Sequence, residues 1–395
     1  MAKKILVIDD SALMRRVISD IINESNEYEV AAIAKDGLEG LDLISSNPNL
    51  YSAIILDINM PKMNGLELLQ KLQENRIEQT VIVVSTVAKE GAKETIQALE
   101  YGAFDFVTKP ENYLDTKGDN FKTRIHQMLD VATNSKASVE RTLKQSSTSG
   151  ISSGSANLRR PLGSSTVTGR GSTISSIKHR DEDNSILAVK VDGNKFTGVK
   201  TGRNKLVALA CSTGGPKSLQ QVIPMLPKNL DAGVVLVQHM PAGFTASLAQ
   251  RLNEMSEVSV KEGADGDVIK KGWVYIAPGG RHMKVVKNGR DYVIRIEDSP
   301  AIDGLKPCAN IMYDSLQNSD FDEITCVVLT GMGADGTKGI KGLHDCHKRI
   351  HVIAQDEETS VVYGMPKALT QTGLVNDIVP LNKVAEAITK NVGVS

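Results

Sequence analysis

The chain has 395 residues, 24% of them charged and 41% hydrophobic, with a formal net charge of −1. That is long enough for two or three domains with their own cores, and the charge balance gives no basic field of the kind that attracts nucleic acid. No apolar run approaches the roughly 20 residues that span a bilayer, so no membrane insertion is expected, and the four cysteines, Cys211, Cys308, Cys326 and Cys346, form no CxxC pair, which argues against a zinc site or disulfide framework and fits a reducing cytosol.

The chain opens directly on a strand-like pattern, MAKKILVIDD, without the n-region and h-region of a signal peptide. Five short apolar, β-branched runs follow in residues 1–130: KKILVI, YEVAAIA, YSAIILD, TVIVVS and FDFVTK. Helix-like stretches alternate with them: SALMRRVISDIINES, DGLEGLDLISS, NGLELLQKLQE and KETIQALEYG. A fivefold strand–helix alternation predicts a parallel sheet covered on both faces. From about Asn134 to Arg203 the texture changes to Ser, Gly and Thr with few large apolar residues, so 131–203 reads as a flexible linker, with a weak strand or turn around VKVDGNKFTGVK. Strand–helix grammar returns in 204–395 with KLVALA, AGVVLVQ, ITCVVLT and RIHVIA. There it also carries an antiparallel insertion made of WVYIAP followed by HMKVVKNGRDYVIRIED, whose NG reads as a hairpin turn.

Ligands of parallel sheets bind beyond the carboxyl ends of the strands. In the first half those ends carry Asp9-Asp10, Asp57, Ser85-Thr86 and Thr108-Lys109-Pro110. Clustered carboxylates repel one another unless a cation sits among them, and hard oxygen ligands suit Mg²⁺. Asp57 would then be free to attack a phosphoryl group, with Lys109 and Ser85 holding the transferred oxygens. Helix capping alone explains Ser11 and Asp36, but not the paired Asp9-Asp10 facing Asp57. With INMPKMNG after Asp57 and the aromatic Phe106, residues 1–130 resemble a response-regulator receiver domain. The resemblance implies a flavodoxin-like (βα)5 fold and Asp57 as phospho-acceptor. It also implies Mg²⁺ on Asp10, Asp57 and the backbone carbonyl of Asn59 with Asp9 in support, a switch built on Ser85, Phe106 and Lys109, and a histidine-kinase donor.

In the second half, KLVALACSTGGP runs a buried strand into a Gly-rich turn. Pro216 suits a first helical turn. One of Cys211, Ser212 and Thr213 thus sits at a strand end beside a helix N-terminus, where a nucleophile or a bound anion is well served. The loop is neither GxxxxGK[ST] nor GxGxxG nor GxSxG. A nucleophile needs a base, and His239 and Asp335 each lie just beyond another strand of the same sheet, which together make the set for acyl transfer. His282, His344, His347 and His351 compete for the role of base. The stretches ACSTGGP, QHMPAGFT, WVYIAPGGRHM, VVLTGMGADG and AQDEETSVVYGMP resemble the catalytic domain of chemotaxis-type protein-glutamate methylesterases, the CheB family. This implies a doubly wound, mostly parallel catalytic domain with no cofactor of its own. Ser212 is implied as nucleophile, His239 as base and Asp335 as third member, with Thr213 and the Met332 N–H positioning or binding the oxyanion. Cys211 becomes a bystander. The implied substrates are glutamate methyl esters and glutamines of methyl-accepting chemoreceptors, and the implied donor is the chemotaxis kinase. Where the family often has a basic-Pro-Ser pattern with an acid soon after, this chain has Lys306-Pro307-Cys308-Ala309-Asn310. The receiver is expected to block the second half until Asp57 is phosphorylated.

Overall fold

The computed structural model describes residues 2–86, 88–110, 121–134 and 204–395; the Ser/Thr/Gly-rich segment and the VKVDGNKFTGVK run lie outside the described residues. In the first half, β1 (Lys3–Ile8), β2 (Tyr28–Ala34), β3 (Ala53–Asp57), β4 (Val81–Ser85) and β5 (Asp105–Thr108) form a sheet in the order β2-β1-β3-β4-β5. Every pair is parallel. The helices are α1 (Ala12–Asn23), α2 (Gly37–Ser46), α3 (Gly65–Glu74), α4 (Lys89–Glu100) and α5 over 121–134. The starts of α1, α2 and α3 are written in the sequence: Ser11 accepts from the Met14 N–H, Asp36 from the Glu39 N–H, and Asn64 and Glu67 make a reciprocal capping box.

Side-chain alternation assigns the two faces of the sheet. Ile5 and Val7 pack with α1 and α5 through Ile18, Ile22, Ile125 and Leu129. Leu6 and Ile8 pack with α2, α3 and α4 through Ile44, Leu68, Leu72 and Ile96. Helix α5 runs past the expected boundary at residue 130, because its last turn is tied to β1: the Lys3 ammonium donates to the Thr133 hydroxyl (2.9 Å).

In the second half, β6 (Lys205–Cys211), β7 (Ala232–Gln238), β8 (Ser259–Glu262), β9 (Trp273–Ile276), β12 (Glu323–Val328), β13 (Ile350–Gln355) and β14 (Asp377–Val379) form one sheet in the order β14-β13-β12-β6-β7-β9-β8. All its pairs are parallel. Helices α6 (Gly215–Val222), α7 (Phe244–Met255) and α11 (Val384–Val392) bury Leu219, Leu248 and Ile388 on the face of Val207, Leu209 and Leu236. Helices α8 (Ala309–Asp314), α9 (Thr337–Asp345) and α10 (Met365–Thr370) cover the face of Leu206, Ala208 and Val235. Strands β10 (His282–Asn288) and β11 (Asp291–Glu297) form a separate antiparallel ribbon. Its link is Gly289-Arg290, and Gly289 takes φ of 62°, the left-handed value that a two-residue hairpin needs at that position.

The expected antiparallel insertion is therefore smaller than the sequence suggested. Trp273–Ile276 pairs parallel with β7, and its residues Val274, Tyr275 and Ile276 are buried. A run buried on both faces belongs inside a parallel sheet.

The chain starts its second sheet at β6, adds β7 on one side and later returns to β12 on the other. The switch point lies between β6 and β12, the crevice where such sheets hold ligands. The first half packs against this one. Phe106 of β5 stacks on Phe244 of α7 with ring centroids 4.7 Å apart, an arrangement worth about 0.5–1.5 kcal/mol beyond burial. Arg251 of α7 forks onto Glu100 of α4 at 2.6 and 3.1 Å.

Candidate active site

The loop after β6 is held from both neighbouring strands. The Ser212 N–H donates to the Thr330 carbonyl (3.0 Å) beyond β12, and the His239 N–H beyond β7 donates to the Cys211 carbonyl (3.2 Å). The buried Gln238 side chain donates to the Ser212 (3.0 Å) and His239 (3.2 Å) carbonyls. The Thr330 hydroxyl donates to the Thr213 carbonyl (3.0 Å). Gly214, at φ of 75°, ends the turn and α6 begins at once, with Pro216 in its first turn. A side chain at Gly331 would collide with Ser212 Cβ at 2.7 Å, so only glycine lets the loop after β12 approach this closely.

His239 donates its Nε2–H to Asp335 Oδ2 at 2.8 Å. Asp335 also accepts from the backbone N–H groups of Ala309 (2.6 Å), Asn310 (2.9 Å) and Gly336 (2.9 Å). Burial alone would raise Asp335, but His239 and the Asn310 and Ala309 amides outweigh it and hold the carboxyl down at about 2. A carboxyl depressed on folding stabilises the fold above its ordinary value of 3.8 and loses that contribution as pH falls through about 2. Between pH 4 and 2, unfolding free energy should drop by about 2 kcal/mol more in the unaltered chain than in Asp335→Asn, read by denaturant titration. Equal drops in the two proteins would refute the depression.

Ser212, Thr213, His239, Met332 and Asp335 all line one cavity of about 510 Å³. None of His282, His344, His347 and His351 is among the residues lining this cavity. His282 is fully buried against Cys308 and Pro300, His351 meets Asp377 at 2.7 Å, and His344 is an exposed neighbour of Asp345. Cys211 is fully buried, its thiol donates to Gln238 Oε1 (3.0 Å), and burial raises its pKa far from the thiolate range. Asn310, in the place of the family's acid, accepts from the Gly336 (3.0 Å) and Gly339 (2.8 Å) N–H groups and so caps α9.

Phe106, Thr108, Arg124 and Met128 of the first half line the same cavity. Asp105 of β5 accepts from the Gly214 N–H at 3.1 Å, two residues past Ser212. Burial lifts Asp105 to about 6, against the Phe106 and Gly214 amides and Arg124.

In the receiver itself, Asp9, Asp10 and Asp57 present carboxylate oxygens within 4.8 Å of one another. Lys109 bridges Asp9 (2.9 Å) and Asp57 (2.8 Å). Burial lifts Asp57 to about 6, with Lys109 opposing and Asp9 adding to the rise. Three hard oxygen donors on one sheet edge, with one Lys balancing them, fit a Mg²⁺ ion. The Asn59 side chain is engaged with Glu94 (3.1 Å), leaving its main-chain carbonyl for the ligand role that the resemblance implies. Ser85 is buried at the end of β4, one register step beyond the Asp57–Val84 pairing.

Gln238, Thr330 and Asp105 were not singled out in the sequence. Gln238 carried a signal, since a polar amide ending a wholly apolar strand must find partners. Asp105 carried none, because its partner is a main-chain amide over a hundred residues away.

Residues 207–388 match the family model described as CheB methylesterase, and residues 5–116 match the response regulator receiver domain. A protein-glutamate methylesterase/protein-glutamine glutaminase of Pyrococcus horikoshii is 37% identical over 98% of this chain and 93% of its own length. The chain belongs to the CheB family. The Bacillus subtilis member with the same description is 38% identical over 98% of this chain and 97% of its own. The solved CheB catalytic domain of Thermotoga maritima is 41% identical, covering 48% of this chain and 99% of that one, with a TM-score of 0.46. The CheB architecture of receiver first and methylesterase second thus runs nearly end to end in this chain.

Proposed function

We propose that this CheB-family chain is a phosphorylation-switched hydrolase that removes methyl groups from glutamate methyl esters, and ammonia from glutamines, on chemoreceptors. Family membership over nearly the whole length supports the enzyme class, and the observation that carries the mechanism is the His239–Asp335 pair sharing one cavity with Ser212. With Nε2 committed to Asp335, Nδ1 is the nitrogen left to act as base. It takes the Ser212 hydroxyl proton as the oxygen attacks the ester carbonyl, while the Met332 N–H and Thr213 serve the oxyanion. Methanol leaves with that proton, water attacks the acyl-serine with His239 again as base, and the glutamate carboxylate is released. On a glutamine the leaving group is ammonia. Asp335 stays ionised and turns the ring.

In the receiver, Asp10, Asp57 and the Asn59 carbonyl would hold Mg²⁺, with Asp9 beside them. The ion would shield the charge of an incoming phosphoryl donor. Asp57 is the acceptor, and Lys109 and Ser85 hold the transferred oxygens. The switch acts through the docked receiver, whose Phe106 and Asp105 line the Ser212 cavity. The histidine kinase of the chemotaxis system is the phosphodonor, and the compartment is the cytoplasm.

Methanol release from methylated receptor membranes by the full chain, with and without a small phosphodonor and Mg²⁺, tests this reading. Release should rise with the donor. Equal release in both states would remove the switch, and hydrolysis of small esters alone would make the chain a general esterase. Arg251→Ala should raise release without donor about twofold to fivefold, because a half-exposed ion pair contributes about 1 kcal/mol or less to docking. A variant no more active than the unaltered chain would place the restraint elsewhere.

A further inference from the structure

We propose that Cys308 is a positioning residue for the His239–Asp335 pair: its thiol donates to Asp335 Oδ1 and, clamped by His282, keeps the carboxylate turned toward His239. The inference rests on the reading of that pair as catalytic. Cys308 directly precedes α8, and the Ile311 and Asn310 amides of that helix approach its sulfur. As a donor the thiol meets Asp335, with Sγ 3.2 Å from Oδ1, and the side chain is almost fully buried.

The carboxylate's acceptor capacity explains why this matters. Oδ2 accepts from His239 and the Ala309 N–H, while Oδ1 accepts from the Asn310 and Gly336 N–H groups and the Cys308 thiol. Five donors thus meet about four lone-pair sites, and since the Gly336 N–H is shared with Asn310 Oδ1 at 3.0 Å, the thiol completes the set on Oδ1. Of the donors outside the catalytic pair, the thiol is the one belonging to a side chain, and so the one a substitution can remove. Burial and the Asp335 charge push the Cys308 thiol up to about 12, so it is a permanent S–H donor that never competes as a negative charge.

His282 fixes where that thiol sits. It is fully buried, its Nδ1 accepts from the Cys308 N–H (3.2 Å) and its Nε2–H donates to the Pro300 carbonyl (3.0 Å). Both ring nitrogens are used and the tautomer is set, so this histidine, a rival base on sequence grounds, holds the residue that holds Asp335.

The test uses the full chain with phosphodonor and Mg²⁺, comparing Cys308→Ala with Cys308→Ser. Two quantities are read: kcat and KM for methanol release, and the downfield proton NMR resonance of the His239 Nε2–H. Alanine should lower kcat about fivefold to tenfold with KM within about twofold, the scale of one ordinary net hydrogen bond given by a weak S–H donor, and should shift the resonance. Serine, which restores an O–H donor, should return both. Unaltered kcat and resonance in Cys308→Ala would overturn the proposal, and so would losses that serine fails to recover, since those report packing alone. If the unaltered chain releases no methanol, the methylesterase reading fails and the resonance decides alone: a shift in alanine reversed in serine upholds the positioning role, and no shift overturns it.

Discussion

Replacing Ser212 by alanine is expected to lower methanol release by about 10⁶, the scale on which hydrolase triads lose turnover when the nucleophile is removed. The loss should fall on kcat, because the cavity, the oxyanion donors and the His239–Asp335 pair stay in place. Cys211→Ala is the decisive companion. The Cys211 thiol is sealed beneath the loop, donates to Gln238 and is held protonated by burial, so it lacks the exposed thiolate that nucleophilic cysteine requires. Its removal should leave turnover within a few-fold while lowering stability by about 1 kcal/mol or more for the lost packing. If Cys211→Ala abolished release and Ser212→Ala spared it, the nucleophile would be the thiol.

Asp335→Asn should cost about 10⁴ in kcat, the effect of fixing an imidazole in the wrong tautomer. Among the described residues, the partners around Asp335 are donors: three backbone amides, the Cys308 thiol and His239. An asparagine must aim its own N–H₂ into that set. The arrangement that relieves the conflict turns the amide toward His239, which then accepts at Nε2 and carries its proton on Nδ1, where the base must be empty. The measurement is single-turnover release with a thermal melt as the folding control. A well-folded variant that loses less than tenfold would mean that Asp335 orients nothing that matters to the rate.

The parallel sheets were legible because their strands are short, apolar and β-branched, and because Ser11, Asp36 and Asn64 mark helix starts by side-chain chemistry alone. The edge strands Ser259–Glu262 and Asp377–Val379 were not, since a strand of three or four residues with charged members has no periodicity to read. Trp273–Ile276 was misassigned because the ribbon that follows it lent it the look of a hairpin arm. The strand-end rule brought Ser212, His239 and Asp335 to one crevice from the sequence. What holds them was largely hidden: the Gln238 and Thr330 side chains bind main-chain carbonyls and the first amides of α8 bind Asp335, and which groups meet depends on the packed fold more than on residue type.

Strand β5 is four residues long. Lys109, which touches Asp57, follows its last residue, and Asp105, which touches the Ser212 loop, is its first. At about 3.3 Å per residue the two contacts lie roughly 13 Å apart along one extended segment. In the proposed switch, input and output would therefore be tied by covalent backbone. A chimera that borrows a receiver from an unrelated response regulator would inherit the phosphoryl pocket but not an acid matched to Gly214. Such a protein would lack the Asp105–Gly214 contact, so an exchange between CheB enzymes that keeps it has to carry β5 and the Ser212 loop together.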